Sequence, residues 1–205
     1  MSVSSQLASI FATAREQGIA PLPKPEWQMP QTVLEGLPAP LKSAAVLVPM
    51  MLGGNEEGVL LTRRAAHLRT HAGQISFPGG AREAEDADAV ATALRETQEE
   101  VGISPKAVEV IGQLAPQPTI TGFLVTPVLG RIADAQSYRL DPGEVAEVFE
   151  VPWSFLLNPD NRSDSRRKLN GIEFPSYEWQ FHGHRIWGAT AWMLRQLTKI
   201  IENNN

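Results

Sequence analysis

The chain has 205 residues, with 18 Lys and Arg against 23 Asp and Glu, a formal net charge of −5 and no cysteine. That length is most simply one domain with ample core, and the acidic balance argues against a general binder of nucleic acid or membrane surfaces, so a polyanionic substrate must be attracted locally. Without cysteine there is no disulfide, no thiolate nucleophile and no zinc–thiolate site.

Residues 4–18 predict a short amphipathic helix, because Leu7, Ile10, Phe11 and Ala14 fall at helical spacing. Such a helix is expected to pack on its own domain or on a partner subunit, which leaves a homodimer open. Residues 21–40 hold six prolines, at positions 21, 23, 25, 30, 38 and 40, which remove backbone donors and favour extended chain. Residues 1–40 therefore read as an N-terminal helix and proline-rich arm, and 41–205 as the domain itself. No run approaches the roughly 18 apolar residues of a membrane helix, and the first residues lack the basic flank and apolar length of a signal peptide. The ending Glu202 to Asn205 is no peroxisomal address. A cytoplasmic protein is expected.

Ala44 to Met51 is a continuous apolar run that predicts a buried strand, Gly53 to Asn55 a turn, and Val59 to Arg63 a returning strand. The charged stretch Arg63 to His71, with Arg64, His67 and Arg69, reads as an exposed loop before Gln74 to Phe77.

From Phe77 to Ile103 a diglycine turn feeds a helix. Asp86 or Asp88 can cap its start, and Gly102 is a left-handed terminator. Val90, Leu94, Thr97 and Val101 share one face that should pack on the body of the protein. Glu96, Glu99 and Glu100 occupy an arc of roughly 100° elsewhere, at about 100° per residue, and are expected to converge on one neighbourhood of solvent. At about 6 Å and an effective dielectric near 20, each pair repels by roughly 3 kcal/mol. A divalent ion removes that penalty, and oxygen ligands suit Mg²⁺ or Mn²⁺. An acidic run on a helix is by itself commonly a solvated face. Here Gly79 and Gly80 allow close backbone approach and lead toward a helix start that favours anions.

Beyond the helix, Val108 to Leu114 and Phe123 to Ile132 read as strands, with Pro116 and Pro118 between them. Asp141-Pro142-Gly143 forms a turn before Glu144, and Val145 to Val151 leads into a short helix after Pro152. Asn158 to Asn170, basic at Arg162, Arg166, Arg167 and Lys168, reads as a polar loop. Tyr177, Trp179 and Phe181 alternate as in a strand with one apolar face, His182-Gly183 turns the chain, and Ile186 to Ile201 predicts a final helix with Thr190, Leu194, Leu197 and Ile201 inward. Trp179 and Trp187 are read as core in preference to adenine-stacking residues.

Two of these motifs carry a resemblance. Gly80, Asp86 and the run Arg95-Glu96-Thr97-Gln98-Glu99-Glu100-Val101-Gly102-Ile103 resemble the Nudix box, with Asp86 where Glu is usual, eight residues instead of seven before Arg95, and Thr97 in place of an aliphatic residue. Leu60, Leu61, Thr62, Arg64, Ala65, Arg69 and Gly73, followed by Phe77-Pro78-Gly79-Gly80, resemble the signature of the coenzyme A pyrophosphatase branch of Nudix hydrolases. The resemblance continues weakly through Glu144–Pro152 and Ile186–Ala191. It implies an α/β/α sandwich with a mixed β-sheet. It implies that Glu96, Glu99 and Glu100, with the Gly80 carbonyl, hold Mg²⁺ or Mn²⁺ while Arg95 orients a ligating carboxylate. Such enzymes often take a further carboxylate, as metal ligand or general base, from a downstream loop; Glu144 is the first candidate here and Glu147 the second. Arg64 and Arg69, forks suited to phosphate, and the Gly79-Gly80 backbone would meet the substrate. The reaction implied is metal-dependent hydrolysis of coenzyme A or acyl-CoA to 3′,5′-ADP and 4′-phosphopantetheine. The alternatives are another nucleoside diphosphate derivative (ADP-ribose, NADH or a dinucleoside polyphosphate) and a catalytically silent nucleotide sensor. The mark of the sensor would be a missing acid, and none is missing.

Overall fold

The run from Ala44 to Met51 is apolar on both sides because both sides are covered. It lies in β1 (Lys42–Met51), where Ala44, Val48 and Met50 enter one buried cluster, Ala45 and Leu47 a second and Met51 a third, the period-two alternation of a strand between two layers. The computed structural model describes residues 2–18, 39–133, 137–169 and 171–204. Most of the expected proline-rich arm therefore lies outside the described residues.

On one edge β1 pairs in parallel with β7 (Phe123–Ile132) along its whole length. On the other it pairs antiparallel with β2 (Gly58–Arg64) at Met50 and Met51, and with β4 (Gly79–Ala81) at Ala44 to Val46. Between these partners the edge forks, and the Leu47 amide donates to the Pro78 carbonyl at 2.9 Å. β3 (Ile75–Ser76) and β8 (Val145–Pro152) pair with β2, while β5 (Glu109–Gln113) and β6 (Gln117–Pro118) pair with β7. The result is a mixed eight-stranded sheet.

Helices cover both faces. α1 (Val3–Glu16) places Leu7, Phe11 and Ala14 in the cluster that also holds Val48, Val59 and Leu61. Its start is fastened by Glu57, in the turn between β1 and β2, which accepts from the Ser4 amide at 2.9 Å and the Ser4 hydroxyl at 2.8 Å. A carboxylate at the positive end of a helix is favourable, and the missing Cβ of Gly112 makes room for the Phe11 ring. α1 thus buries its apolar face on its own sheet. α2 (Ala89–Val101) covers the opposite face, with Ala93 on Ala45, Leu47 and Val128 and Val101 near Met51, Leu60 and Ile132. The architecture is the expected α/β/α sandwich around a mixed sheet.

After β8 comes α3 (Trp153–Leu157), as expected behind Pro152. The polar stretch expected as a loop differs: β9 (Arg162–Leu169) pairs residue for residue with β10 (Ile172–Phe181). Backbone pairing makes that strand; its charged side chains suit a sheet edge, where they discourage further pairing. β11 (His184–Trp187) pairs with the other edge of β10 across a tight turn, in which His182 and Gly183 have φ of 47° and 84°. The final helix, α4 (Gly188–Glu202), therefore starts later than expected, because Ile186 and Trp187 belong to β11. Thr190, Leu194, Leu197 and Ile201 point inward as expected, beside the fully buried Trp179. Among the described residues no helix is long and apolar enough to cross a membrane.

Candidate active site

Of the two acids expected at the start of α2, Asp88 is the cap, accepting from the Ala91 amide at 2.9 Å, and Gly102 ends the helix at φ 79°. Asp86 does something else. It is buried, accepts from the Glu83 amide at 2.9 Å and the Thr92 hydroxyl at 3.0 Å, and takes both arms of Arg95, Nε at 3.0 Å and Nη2 at 2.9 Å. The Arg95 hydrogen bonds hold its carboxyl well below the usual carboxylate range, and Asp86 in turn raises the Arg95 pKa. The remaining Arg95 nitrogen, Nη1, reaches Glu96 and Glu99, each at 3.0 Å.

The three acids of α2 do not share one patch of solvent. Side-chain exposure is 59% for Glu99, 15% for Glu96 and 4% for Glu100. The inward face is rotated from the expected Val90–Leu94 stripe: Ala93, Thr97, Glu100 and Val101 are buried, while Val90 and Leu94 are half-buried. Glu100, seven positions after Ala93, consequently points in.

Buried there, Glu100 accepts from the Gly79 amide at 3.1 Å and from Arg64 Nη1 at 3.4 Å. Burial pushes its carboxyl up to about 7 against both of those contacts, and Glu144 and Glu96 push the same way. Burial also raises Glu96, opposed by Arg95 and reinforced by Glu99 and Glu144. The glycines make this possible. A Cβ on Gly80 would stand 2.5 Å from the Glu96 carboxyl carbon, and Gly79, at φ 152°, has no space for one beside the Ala45 carbonyl and Val46. The glycine pair lies on β4, and not in the expected turn leading into the helix, and the Gly79 amide serves a carboxylate.

Glu144 is delivered by the chain after β7. The Arg139 amide donates to the Val101 carbonyl and the Asp141 amide to the Glu100 carbonyl, both at 3.0 Å. Asp141 then closes the turn, its Oδ1 accepting from the Gly143 amide at 2.8 Å. Glu144 arrives 3.6 Å from Arg64 Nη2. The second candidate, Glu147, is not brought here: it pairs with Arg63 at 2.9 Å and lies 3.5 Å from His184 Nε2.

The loop after β2 closes onto Glu144. Its mouth is pinned by the Arg64 amide on the Gln74 carbonyl at 3.0 Å, the Ala65 amide meets the Glu144 carbonyl at 2.7 Å, and His67 Nε2 lies 3.1 Å from the Gly143 carbonyl oxygen. Arg69 is exposed and has no ion pair among the described residues. Spacing alone did not reveal Asp86 as the Arg95 partner or the Gly79 amide as a donor to Glu100. The turn Asp141-Pro142-Gly143 before Glu144 is formed as its sequence predicts.

No three carboxylates among the described residues meet around one point in this arrangement, since Arg95 holds Glu96 and Glu99 while Gly79 and Arg64 hold Glu100. The donor set still suits a hard divalent cation. It is all oxygen, and burial and mutual repulsion disfavour the ionised forms of Glu96 and Glu100, a cost that a cation offsets.

The NUDIX domain model matches residues 41–170. A protein of Photorhabdus laumondii named as an uncharacterized Nudix hydrolase, NudL, is 41% identical over 161 residues, covering 78% of this chain and 86% of that one. A protein of the same name from Escherichia coli is 44% identical over 164 residues, covering 76% and 81%. A solved structure from Deinococcus radiodurans aligns at a TM-score of 0.50 with 14% identity, over 78% of this chain and 86% of that one, a likeness of fold alone.

Proposed function

Because the chain belongs to the Nudix hydrolase family, enzymes that cleave the diphosphate of nucleoside derivatives, we propose that its substrate is coenzyme A or an acyl-CoA, split to 3′,5′-ADP and 4′-phosphopantetheine. The observation that carries the reading is the placement of the loop from Arg64 to Gly73. The segment resembling the coenzyme A branch folds against Glu144 and opposite Glu100, through the Ala65 amide and the Arg64 guanidinium. A substrate diphosphate at the carboxylates would therefore have the branch-specific loop beside it.

Glu96, Glu99 and Glu100, with the Gly80 carbonyl, hold Mg²⁺ or Mn²⁺ in this reading. Such an ion spreads the charge of the diphosphate and makes water a better nucleophile. Arg95 fixes Glu96 and Glu99 and, through Asp86, ties the middle of α2 to the segment after β4. Glu144 accepts the proton of the attacking water, with Glu96 the other group in reach of that role. Attack on one phosphorus breaks the P–O–P link, and the leaving phosphate carries off the electron pair. Arg69, exposed and uncommitted, meets a substrate phosphate. Gly80, without a Cβ, lets Glu96 lie against the backbone. The enzyme is proposed to work in the cytoplasm on a small nucleotide. A homodimer would have to use a surface other than the apolar face of α1.

The test is to incubate the protein with coenzyme A, acetyl-CoA, ADP-ribose, NADH and diadenosine tetraphosphate, each with Mg²⁺ or Mn²⁺, and to identify products by mass. Release of 3′,5′-ADP faster than any other product is expected. Faster cleavage of ADP-ribose or NADH would move the assignment to another branch.

A further inference from the structure

Arg64 closes β2 with its side chain turned toward α2. Its two terminal nitrogens face different carboxylates, Nη1 toward Glu100 at 3.4 Å and Nη2 toward Glu144 at 3.6 Å, and the side chain is 23% exposed. Those carboxylates come from separate elements, Glu100 from α2 and Glu144 from the turn before β8, and like charges brought together repel one another. A planar fork is the side chain best shaped to serve two carboxylates at once.

The backbone around Arg64 ties together the same two segments. Its amide and carbonyl pin the loop mouth to Gln74 and Gly73, the next amide, of Ala65, donates to Glu144, and the pairing of β2 with β8 shifts register between Arg63 and Arg64. On the far side, the Asp141 amide holds the turn before Glu144 to the Glu100 carbonyl. Glu144 is thus tied from behind through the Glu100 main chain and from in front by Arg64.

We propose that Arg64 is a positioning residue, whose guanidinium sets the stance of Glu144 over α2, and not a ligand of substrate phosphate. The proposal rests on the reading of Glu144 as the proton acceptor. It divides the two arginines of the loop: Arg64 organises the acids, and Arg69 is left for phosphate. A lysine would supply charge without the fork, so it could face Glu100 or Glu144 but not both.

Two measurements test this. In Arg64→Gln, without metal or substrate, hydrogen exchange should accelerate about tenfold or more at the amides of Ala65, Glu144 and Val145 while those of β1 and β7 are unchanged, a local opening and not a loss of fold. Unchanged protection at Ala65 and Glu144 would overturn the proposal. With whichever diphosphate the wild type cleaves fastest, Arg64→Gln should lower kcat by about 30- to 100-fold and change KM by less than about threefold, the pattern of a displaced reacting group. Added to Glu144→Gln it should cost no more than about twofold further, and Arg64→Lys should recover little of the loss. A rise in KM of about tenfold with kcat retained would make Arg64 a phosphate ligand, and fully additive losses in the double variant would show that it does not act through Glu144. Neither measurement requires the substrate to be coenzyme A, so failure of the substrate assignment would be seen in the product panel and not here.

Discussion

Arg63 and Arg64 are neighbours in one strand, and each faces a glutamate of the segment that pairs with it, yet alternation sends them to opposite faces of the sheet. Arg63 meets Glu147 at 2.9 Å, with both side chains 38% exposed and His184 of the small sheet nearby. Arg64 meets Glu144 and the nearly buried Glu100, with Glu96 and the Gly79 amide close by. One pair links neighbouring strands of a single sheet at the surface, and the other is part of a crowded set of acids under a glycine strand. What separates them is the number of carboxylates each site must keep ionised and how far burial opposes it. A pair of opposite charges in water contributes little, whereas several acids drawn inward raise one another's pKa and favour a cation.

The largest expected contrast is in turnover. Glu100→Gln and Glu99→Gln, each assayed at saturating Mg²⁺, should lower kcat by roughly 10²- to 10⁴-fold with the far-ultraviolet spectrum unchanged, because in the proposed site each removes the charge of a metal ligand. Glu147→Gln in the same assay should stay within about twofold of wild type. A loss for Glu147→Gln as large as that for Glu100→Gln would place the chemistry on the wrong face of the sheet.

Next comes the glycine strand. Gly80→Ala inserts a methyl 2.5 Å from the Glu96 carboxyl carbon, so that carboxylate must swing off the backbone. Misplacing a reacting group by about 1 Å can cost roughly 100-fold, and a drop in kcat of about 10- to 100-fold with a preserved melting transition is expected. Wild-type turnover in Gly80→Ala would show that Glu96 works from another position.

The comparison also predicts a pH dependence. Folding lifts the Glu100 carboxyl from 4.5 to about 7, so the folded state favours its protonated form. That contribution is complete below about pH 4.5 and is lost as pH rises through about 7; a gap of about 2.5 units corresponds to about 3 kcal/mol. Glu96, also raised, acts in the same direction. Asp86, held down by Arg95, acts in the opposite one: its contribution is present above its ordinary value of 3.8 and fades as pH falls below it. Metal-free protein should therefore lose roughly 5 to 10 °C of melting temperature between pH 5 and 7.5, and Glu100→Gln should flatten that slope. Added Mg²⁺ should restore most of the loss at pH 7.5, since a ligand of the folded state stabilises it by mass action.

Local chemistry explains why parts of this molecule were legible in the sequence. The Asp88 cap and the left-handed Gly102 depend on a few neighbouring residues, and β7 runs from Phe123 to Ile132 as its composition predicts. The acids of the site could be named from their spacing and from the box they resemble. Their division could not, because the turn of α2 about its axis is decided by how small Ala93 seats on Ala45 and Leu47, which belong to a distant strand. The bridging place of Arg64 depends on a carboxylate 36 residues away and on another brought by a separate turn. β9 was hidden for a further reason: its side chains are polar, and what makes it a strand is the backbone ladder to β10.

The smallest effect probes the other arginine. Arg63 and Glu147 form a single short contact between partly exposed side chains, and such pairs contribute about 0 to 1 kcal/mol in double-mutant cycles. The cycle of Arg63→Gln, Glu147→Gln and the double variant, followed by chemical denaturation, should give a coupling below about 1 kcal/mol that shrinks further in 0.5 M salt, where screening shortens to a few ångströms. His184 lies 3.5 Å from the same carboxylate and stacks on Phe149 with centroids 4.0 Å apart, so the cycle is repeated in a His184→Gln background, where no imidazole can substitute for the lost guanidinium. A coupling of about 3 kcal/mol or more would mean that burial, and not solvent, governs this face as well, and the distinction between the two arginines would then rest on the number of acids alone.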